Sequence, residues 1–181
     1  RDRFNTNEFI PLHVPTFSGN EKKYLNECID STFVSSVGPF VDEFEQLMNQ
    51  ITKTKKTTAV VNGTAGLQVA LRLIGVKKND EVIMPSFTII SNAMAIVKSS
   101  AKPILVDVNL STWNIKLEDI EKKITKKTKC LMIPHIYGLS NDMDEIMKIA
   151  KKYNLYVIED AAEVLGLKYK NKPCGSFGDI S

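Results

Sequence analysis

From about residue 57 onward, the sequence alternates between short apolar runs and longer amphipathic stretches. The apolar runs predict buried strands: "TTAVVN" (57–62), "DEVIMP" (80–85), "KPILVDV" (102–108), "TKCLMIPH" (128–135) and "LYVIED" (155–160). Between them lie four stretches with helical spacing: "TAGLQVALRLIG" (64–75), "IISNAMAIVKSS" (89–100), "KLEDIEKKIT" (116–125) and "NDMDEIMKIAKKYN" (141–154). Strands that are apolar throughout and alternate with helices are typical of a parallel sheet covered on both faces. The sequence therefore predicts an α/β, doubly wound fold.

Residues 1–56 lack this alternation and predict a separate N-terminal arm. "GNEKKYLNECIDSTF" and "VDEFEQLMNQIT" have the pattern of two amphipathic helices joined by the turn "VSSVGP". Residues 57–181 are then expected to form the N-terminal part of a larger α/β domain, with a hairpin at "LKYKNKPCG". Because the chain opens on Arg1 and stops at "GSFGDIS", we expect it to be a truncated part of a longer protein.

Composition excludes several function classes. The net charge of +3 comes from 24 basic and 21 acidic residues, and the lysines are spread along the chain, which argues against a nucleic-acid surface. Cys28, Cys130 and Cys174 lack the spacing of a disulfide framework or a metal site. No apolar stretch approaches the roughly 18 residues of a membrane span, and the start has no signal-peptide pattern. These features predict a soluble, cytoplasmic protein without a metal.

In open parallel sheets, ligands bind at the carboxyl ends of the strands. The loops that follow four of the predicted strands are therefore expected to meet, namely residues 62–66, 85–89, 134–138 and 160–163.

The loop "NGTAG" suits an anion at the start of a helix. Glycine and small residues at Gly63 and Ala65 let backbone N–H groups approach a phosphate monoester, and Thr64 adds a hydroxyl. The alternative is that Thr64 only caps the helix. The loop is neither a P-loop nor a dinucleotide fingerprint.

Two acids lie at and just after the end of the last predicted strand, in "VIEDAAEVLG". A carboxylate at Asp160, where a buried strand ends, needs a charged or donor partner, which a protonated pyridine nitrogen would supply. The alternative is an aspartate that caps the following turn. Together with a phosphate-binding loop, however, Asp160 points to pyridoxal 5'-phosphate. Glu163 would then lie near the ring hydroxyl, or else be simply solvated.

These residues resemble the DegT/DnrJ/StrS-type family of sugar aminotransferases, which use pyridoxal phosphate and have fold type I. The resemblance runs through "FIPLHVPTFSGNEKKYL", "FVSSVGPFVDEFE", "VNGTAGLQVAL", "DEVIMPSFT", "PHIYGLSNDMDEIMKIAKKYNLYVIEDAAEVLG" and "CGSFGDIS". It is strongest to the perosamine synthase group, which aminates C4 of a nucleotide-linked 4-keto-6-deoxy sugar. The resemblance implies an incomplete large domain without the C-terminal small domain, glutamate as the amino donor, and a homodimer with its sites at the subunit interface.

The resemblance also implies roles for individual residues. Gly63, Thr64 and Ala65 match the phosphate-binding turn, Asp160 matches the residue that faces the pyridine nitrogen, and Glu163 matches the position that contacts the ring hydroxyl.

Four further residues have roles that the sequence leaves open. The side chain stacked on the ring is usually aromatic in the family, but its position holds Ile89, so either Ile89 packs on the ring or Phe87 covers it. His135 and Tyr137 could face the sugar, with the alternative that the loop backbone satisfies His135.

The family's catalytic lysine has no counterpart in these 181 residues. It follows shortly after the "GSFGDI" motif, and Ser181 ends the chain before that position. We therefore name no catalytic lysine and expect no transamination from the 181 residues alone. A histidine at that position would imply a dehydratase of the same family, and neither residue would imply a non-catalytic binding member.

Overall fold

The computed structural model describes residue 9, residue 11 and residues 14–181. The beginning of the predicted arm, including most of "FIPLH", lies outside the described residues. The chain forms two compact units, Arg1–Val41 and Asp42–Ser181. The two helices expected between residues 20 and 52 are present, as α1 (Glu21–Asp30) and α2 (Pro39–Thr52). The domain boundary expected at residue 56 stays a prediction.

Four parallel strands form the main sheet, as the sequence predicted. They are β1 (Glu81–Pro85), β2 (Lys102–Val106), β3 (Thr128–Pro134) and β4 (Tyr156–Asp160), in the order β2-β1-β3-β4. Each pairing is parallel. The chain therefore crosses over between strands through helices, and the carboxyl ends of all four strands share one edge.

Helices cover both faces of this sheet, which confirms the doubly wound fold. The helices are α3 (Gly63–Leu73), α4 (Ile90–Lys98), α5 (Leu117–Lys123) and α6 (Met143–Tyr153). On one face, Leu71 of α3 and Ile96 of α4 pack in a cluster with Ile158 of β4. On the other face, Ile146 of α6 packs in a second cluster with Val157 of β4. Neighbouring residues of β4 thus face opposite helical layers, as the period of two in a strand requires.

A second, two-stranded sheet confirms the predicted hairpin. Strands β5 (Lys168–Tyr169) and β6 (Lys172–Pro173) pair antiparallel. The two linking residues, Lys170 and Asn171, both have positive φ angles of 45° and 68°. Two positive φ angles in a two-residue loop are typical of the turns that match the twist of a hairpin.

The strand expected at residues 57–62 was a wrong prediction. The segment is irregular and mostly exposed, and Val61 is 87% exposed. Its β-branched residues favour an extended backbone, but a strand also needs a partner, and residues 57–62 pair with no strand in the described part of the chain. Within this segment, Ala59 N donates to Glu45 Oε1 of α2 at 2.7 Å, which is a side-chain contact and not a strand pairing.

The described residues contain no disulfide, no candidate metal cluster and no membrane-spanning helix. All three cysteines are free thiols, and burial raises the pKa of Cys130 and Cys174. Over the part of the chain that the structure describes, no group of three or more His, Cys, Asp or Glu side chains is arranged to hold a metal ion. Over the same part, every helix is too short or too polar to cross a bilayer.

Candidate active site

The four loops expected to meet do so at the carboxyl edge of the sheet. Thr64 Oγ1, at the start of α3, donates to Ser91 Oγ at the start of α4, at 2.9 Å. The next residue, Asn92, bonds to Asp160 at the end of β4. The backbone N–H of Tyr137, in the loop after β3, donates to Glu163 Oε2 at 2.5 Å. These contacts gather the predicted site residues in one region.

The first turn of α3 has the features of an anion-binding helix N-terminus. Its N-cap is Asn62, whose side chain accepts the N–H of Ala65 at 2.9 Å. Thr64 is therefore not the cap that the sequence left as an alternative. The N–H groups of Gly63 and Thr64 have no acceptor among the described residues, and the space beside Gly63 is open. An anion there would meet unused donors and the positive end of the helix dipole.

Asp160 lies half-buried at the end of β4. Its Oδ2 accepts from Asn92 Nδ2 at 3.0 Å, and its Oδ1 accepts from the N–H of Ala162 at 3.3 Å. The second contact is the turn-capping bond that the sequence left open. It is long, and it engages one of the two carboxylate oxygens, so Asp160 keeps acceptor capacity for a further donor.

Glu163 is exposed but not simply solvated. Its carboxylate accepts the N–H of Tyr137, which has a left-handed φ of 52° and a side chain that is 74% exposed. The contact joins the loop after β3 to the loop after β4. Glu163 thus stabilises the loop at residues 134–138, which contains the two residues suggested for a sugar contact.

The two candidates for covering a cofactor ring have different surroundings. Phe87 packs its ring against Trp113, at a centroid distance of 4.8 Å, and lies 6.2 Å from the ring of Tyr137. Ile89 directly precedes α4 and is 56% exposed. Phe87 therefore already has aromatic partners, whereas Ile89 presents a free apolar surface one helical turn before Asn92. Which of the two covers a ring stays a prediction.

His135 is buried, with 1% of its surface exposed, and both of its ring nitrogens are bonded. Nδ1 accepts the backbone N–H of Asn141 at 3.1 Å, so Nε2 carries the proton that faces Glu159 Oε2, also at 3.1 Å. This geometry favours the alternative in which neighbouring groups satisfy His135. Tyr137 is the more accessible of the two residues suggested for a sugar contact.

Glu159 is a buried structural carboxylate that sequence reasoning missed. Its side chain is fully buried, yet it accepts four hydrogen bonds: from His135 and from the backbone N–H groups of Gly175, Phe177 and Gly178. Burial raises the pKa of Glu159, but the bond from His135 and the three backbone bonds outweigh it and hold the pKa below its ordinary value of 4.5. A fully bonded carboxylate of this kind stays ionised inside the protein.

The alternation of β4 explains why two adjacent acids differ. Val157 and Glu159 face the layer of α5 and α6, whereas Ile158 and Asp160 face the layer of α3 and α4. Glu159 therefore binds the turn at residues 175–178, while Asp160 reaches Asn92. The period of two in "VIED" could have signalled this difference from the sequence.

Comparison with protein families gives one match that covers almost the whole chain. Residues 15–181 match the family described as the DegT/DnrJ/EryC1/StrS aminotransferase family. Among curated relatives, the GDP-perosamine synthase of Escherichia coli O157:H7 is 46% identical over 174 residues, which are 96% of this chain and 48% of the relative. The chain thus spans about half the length of the curated relatives it matches.

Solved structures give the same relationship at the level of the fold. The aminotransferase from Psychrobacter cryohalolentis superposes with a TM-score of 0.87 at 36% identity, over 91% of this chain and 42% of the other. NtdA from Bacillus subtilis, with bound cofactor PMP, superposes with a TM-score of 0.77 at 34% identity, over 81% of this chain and 34% of the other.

Proposed function

The chain belongs to the DegT/DnrJ/EryC1/StrS aminotransferase family, and we propose that the whole protein is a sugar nucleotide aminotransferase. Its proposed substrate is a nucleotide-linked 4-keto-6-deoxy sugar, which it converts to the 4-amino sugar with glutamate as donor. The product would serve the biosynthesis of surface polysaccharide or another glycan precursor. Identity of 46% to a GDP-perosamine synthase supports this substrate class. Because such substrates are cytoplasmic metabolites, a cytoplasmic location is part of the proposal.

One observation carries the proposal. The first turn of α4 contacts the anion-binding turn through Ser91 and Thr64, and the carboxylate of Asp160 through Asn92. The proposed phosphate turn and the carboxylate are therefore both linked to one helical turn. Pyridoxal 5'-phosphate, the cofactor of this family, carries a phosphate and a basic ring nitrogen on one rigid ring.

The groups of the proposed site are chemically suited to that cofactor. The free N–H groups of Gly63 and Thr64 would bind the phosphate, where open space lies beside Gly63. Asp160 would hold a proton on the ring nitrogen. When bound, the cofactor supplies an electron sink for the charge that develops as the amino group is transferred. Glu163 would lie at the edge of the ring and Ile89 against its face.

We extend the proposal to a homodimer. In α2, the exposed side chains Phe44, Leu47 and Ile51 recur at helical spacing, with exposed fractions of 50%, 47% and 46%. In α1, Leu25 and Ile29 are 64% and 65% exposed and also lie one turn apart. Apolar stripes of this kind are typical of protein–protein contacts. A second copy of the chain is the partner that the family resemblance implies.

A dehydratase of the same family and a non-catalytic binding member remain the alternatives. They differ from an aminotransferase at the position that follows "GSFGDI" in the family, which would carry histidine or neither residue in place of lysine. The described site does not distinguish them, because all three would keep the phosphate turn and Asp160.

The test is an assay of the intact protein with pyridoxal 5'-phosphate, glutamate and a panel of keto sugar nucleotides that differ in nucleotide and in the keto position. Formation of 2-oxoglutarate together with a 4-amino sugar, detected by mass spectrometry, is the expected result. Loss of a hydroxyl without nitrogen transfer would support the dehydratase. Cofactor binding without turnover of any panel member would support the binding member.

A further inference from the structure

Asn92 is a polar side chain on the buried face of a helix. It lies in α4 beside Ala95 and Ile96, and none of its surface is exposed. Burying an amide costs free energy unless its donors and acceptor are bonded. The sequence gives no packing reason for an asparagine at this place, since the neighbouring buried positions of α4 are apolar.

The bonds of Asn92 identify what determines its orientation. Nδ2 uses both of its hydrogens, one to Thr88 Oγ1 at 2.9 Å and one to Asp160 Oδ2 at 3.0 Å. Exchanging the oxygen and nitrogen of the amide would set its acceptor against the Asp160 carboxylate. A carboxylate that accepts from a neutral amide forms a charge-assisted bond, which is stronger than a neutral one. Asp160 therefore fixes the amide, and the amide fixes Asp160.

This arrangement leaves the other end of the amide unsatisfied. Asn92 Oδ1 is buried and has no hydrogen-bond partner among the described residues. An unpartnered buried acceptor costs stability. A side chain that costs stability while orienting one particular carboxylate is typical of a functional position.

Ser91, which directly precedes Asn92, contacts the proposed phosphate turn. Ser91 Oγ accepts from Thr64 Oγ1, which belongs to the proposed phosphate turn. One helical turn thus contacts both the phosphate end and the ring-nitrogen end of the proposed site.

We propose that Asn92 is a positioning residue that holds the Asp160 carboxylate in the orientation required to bind the pyridine nitrogen. The proposal rests on the proposed function, because it assumes that Asp160 binds the cofactor ring. Asn92 itself acts only through Asp160.

The test compares Asn92→Leu and Asn92→Ala with the wild-type intact protein. Loss of one charge-assisted bond is expected to weaken the binding of pyridoxal 5'-phosphate by about tenfold. The absorption band of the bound cofactor should shift in the same direction as in Asp160→Ala. In Asn92→Leu, the midpoint of thermal unfolding of the cofactor-free protein should not fall, because the unpartnered Oδ1 is removed.

A double-mutant cycle separates this role from a structural one. In an Asp160→Ala background, adding Asn92→Leu should weaken cofactor binding by less than about twofold, since the group through which Asn92 acts is gone. Asn114→Leu is the matched control: Asn114 is also an asparagine with a buried, unpartnered Oδ1, and its Nδ2 donates to Ser140 O at 2.9 Å. Asn114→Leu should leave cofactor affinity and absorption unchanged.

The outcomes distinguish two failures. Wild-type affinity and absorption in both Asn92 variants, or a full tenfold effect that persists without Asp160, would overturn the role of Asn92 alone. A wild-type protein that does not bind pyridoxal 5'-phosphate would overturn the proposed function and this role with it.

Discussion

Glu159 and Asp160 are adjacent acids with opposite surroundings. Glu159 is fully buried and accepts four hydrogen bonds, whereas Asp160 is half-buried and accepts two, one of them long. A buried carboxylate whose acceptor sites are all hydrogen-bonded suits a structural role, because buried polar groups need partners. Spare capacity suits a carboxylate that binds a ligand.

We expect Glu159→Gln to destabilise the protein strongly. The amide is neutral, and wherever its NH₂ group lies it faces backbone N–H donors, so buried donors lose their acceptor at a cost of about 3 kcal/mol. Urea unfolding of the cofactor-free protein at pH 7 would measure the loss. Glu145→Gln is the matched control, because Glu145 pairs with Lys148 at the surface with 48% of its side chain exposed. A control effect as large as that of Glu159→Gln would contradict the prediction.

The lowered pKa of Glu159 predicts an acid-dependent part of the stability. Because the folded-state pKa lies below the ordinary value of 4.5, the ionised carboxylate stabilises the fold above that value. The contribution should decrease as the pH falls from about 4.5 through the folded-state pKa. Unfolding free energies measured from pH 7 to pH 3 should fall less steeply in Glu159→Gln than in the wild-type protein, and parallel curves would refute the assignment.

Replacing Asp160 by asparagine tests the cofactor contact with little change in shape. We expect weaker pyridoxal 5'-phosphate binding and slower amino transfer in the intact protein, by roughly 10- to 100-fold, since a charge-assisted bond to the ring nitrogen is lost. Equilibrium dialysis and the steady-state assay measure the two effects. Asp144→Asn is the control, because Asp144 forms an exposed ion pair with Lys170. Unchanged binding and rate in Asp160→Asn would refute the role of Asp160.

At the scale of elements, the turn at residues 175–178 is packed directly against β4. A Cβ atom on Gly178 would lie 2.6 Å from the backbone oxygen of Val157. Beyond this contact, Asp179 N donates to Val157 O at 2.8 Å, and Glu159 N donates to Ile180 O at 2.9 Å. The chain after Gly178 therefore begins to pair with β4, in the parallel bridge between Ile158 and Ile180.

We expect Gly178→Ala to disrupt this junction. The added methyl group must displace backbone rather than a flexible side chain, so we expect a loss of about 2 kcal/mol or more in unfolding free energy. Hydrogen exchange should increase at residues 175–181 in particular. Gly63→Ala is the control for stability, since nothing lies within 4 Å of its added Cβ. Equal losses in the two variants would contradict the packing argument.

Most helices and strands could be predicted from the sequence, because the spacing of their apolar residues is that of the element they form. Helices α3 to α6 and the four paired strands follow from apolar positions that are buried in the fold, whereas α1 and α2 follow from apolar spacing alone. Residues 57–62 were mispredicted because β-branched composition reports backbone preference, whereas a strand depends on a partner that local sequence does not reveal. Asn92 and Glu159 were missed for a similar reason, since their partners lie 68 and 16–24 residues away in the chain.

At the scale of the whole molecule, we expect the 181 residues alone to bind cofactor weakly and to transfer no amino group. Thr64 and Asp160 are present, but the resemblance implies that a cofactor-binding lysine follows "GSFGDI". Trp113 is the only tryptophan and packs against Phe87, so quenching of its fluorescence can report binding. Production of 2-oxoglutarate from glutamate and a keto sugar nucleotide measures transfer. Turnover by the 181 residues would refute this expectation.

The alternation along β4 limits how this protein can be re-engineered. Substitutions near residue 160 alter one side chain, but inserting or deleting one residue in "VIED" would exchange the two faces of the strand. The acid that secures the turn at residues 175–178 and the acid that points toward Asn92 would then trade places, and both tasks would fail together. A mutant library aimed at new substrates should therefore vary side chains here at constant length, and put its length variation in other loops.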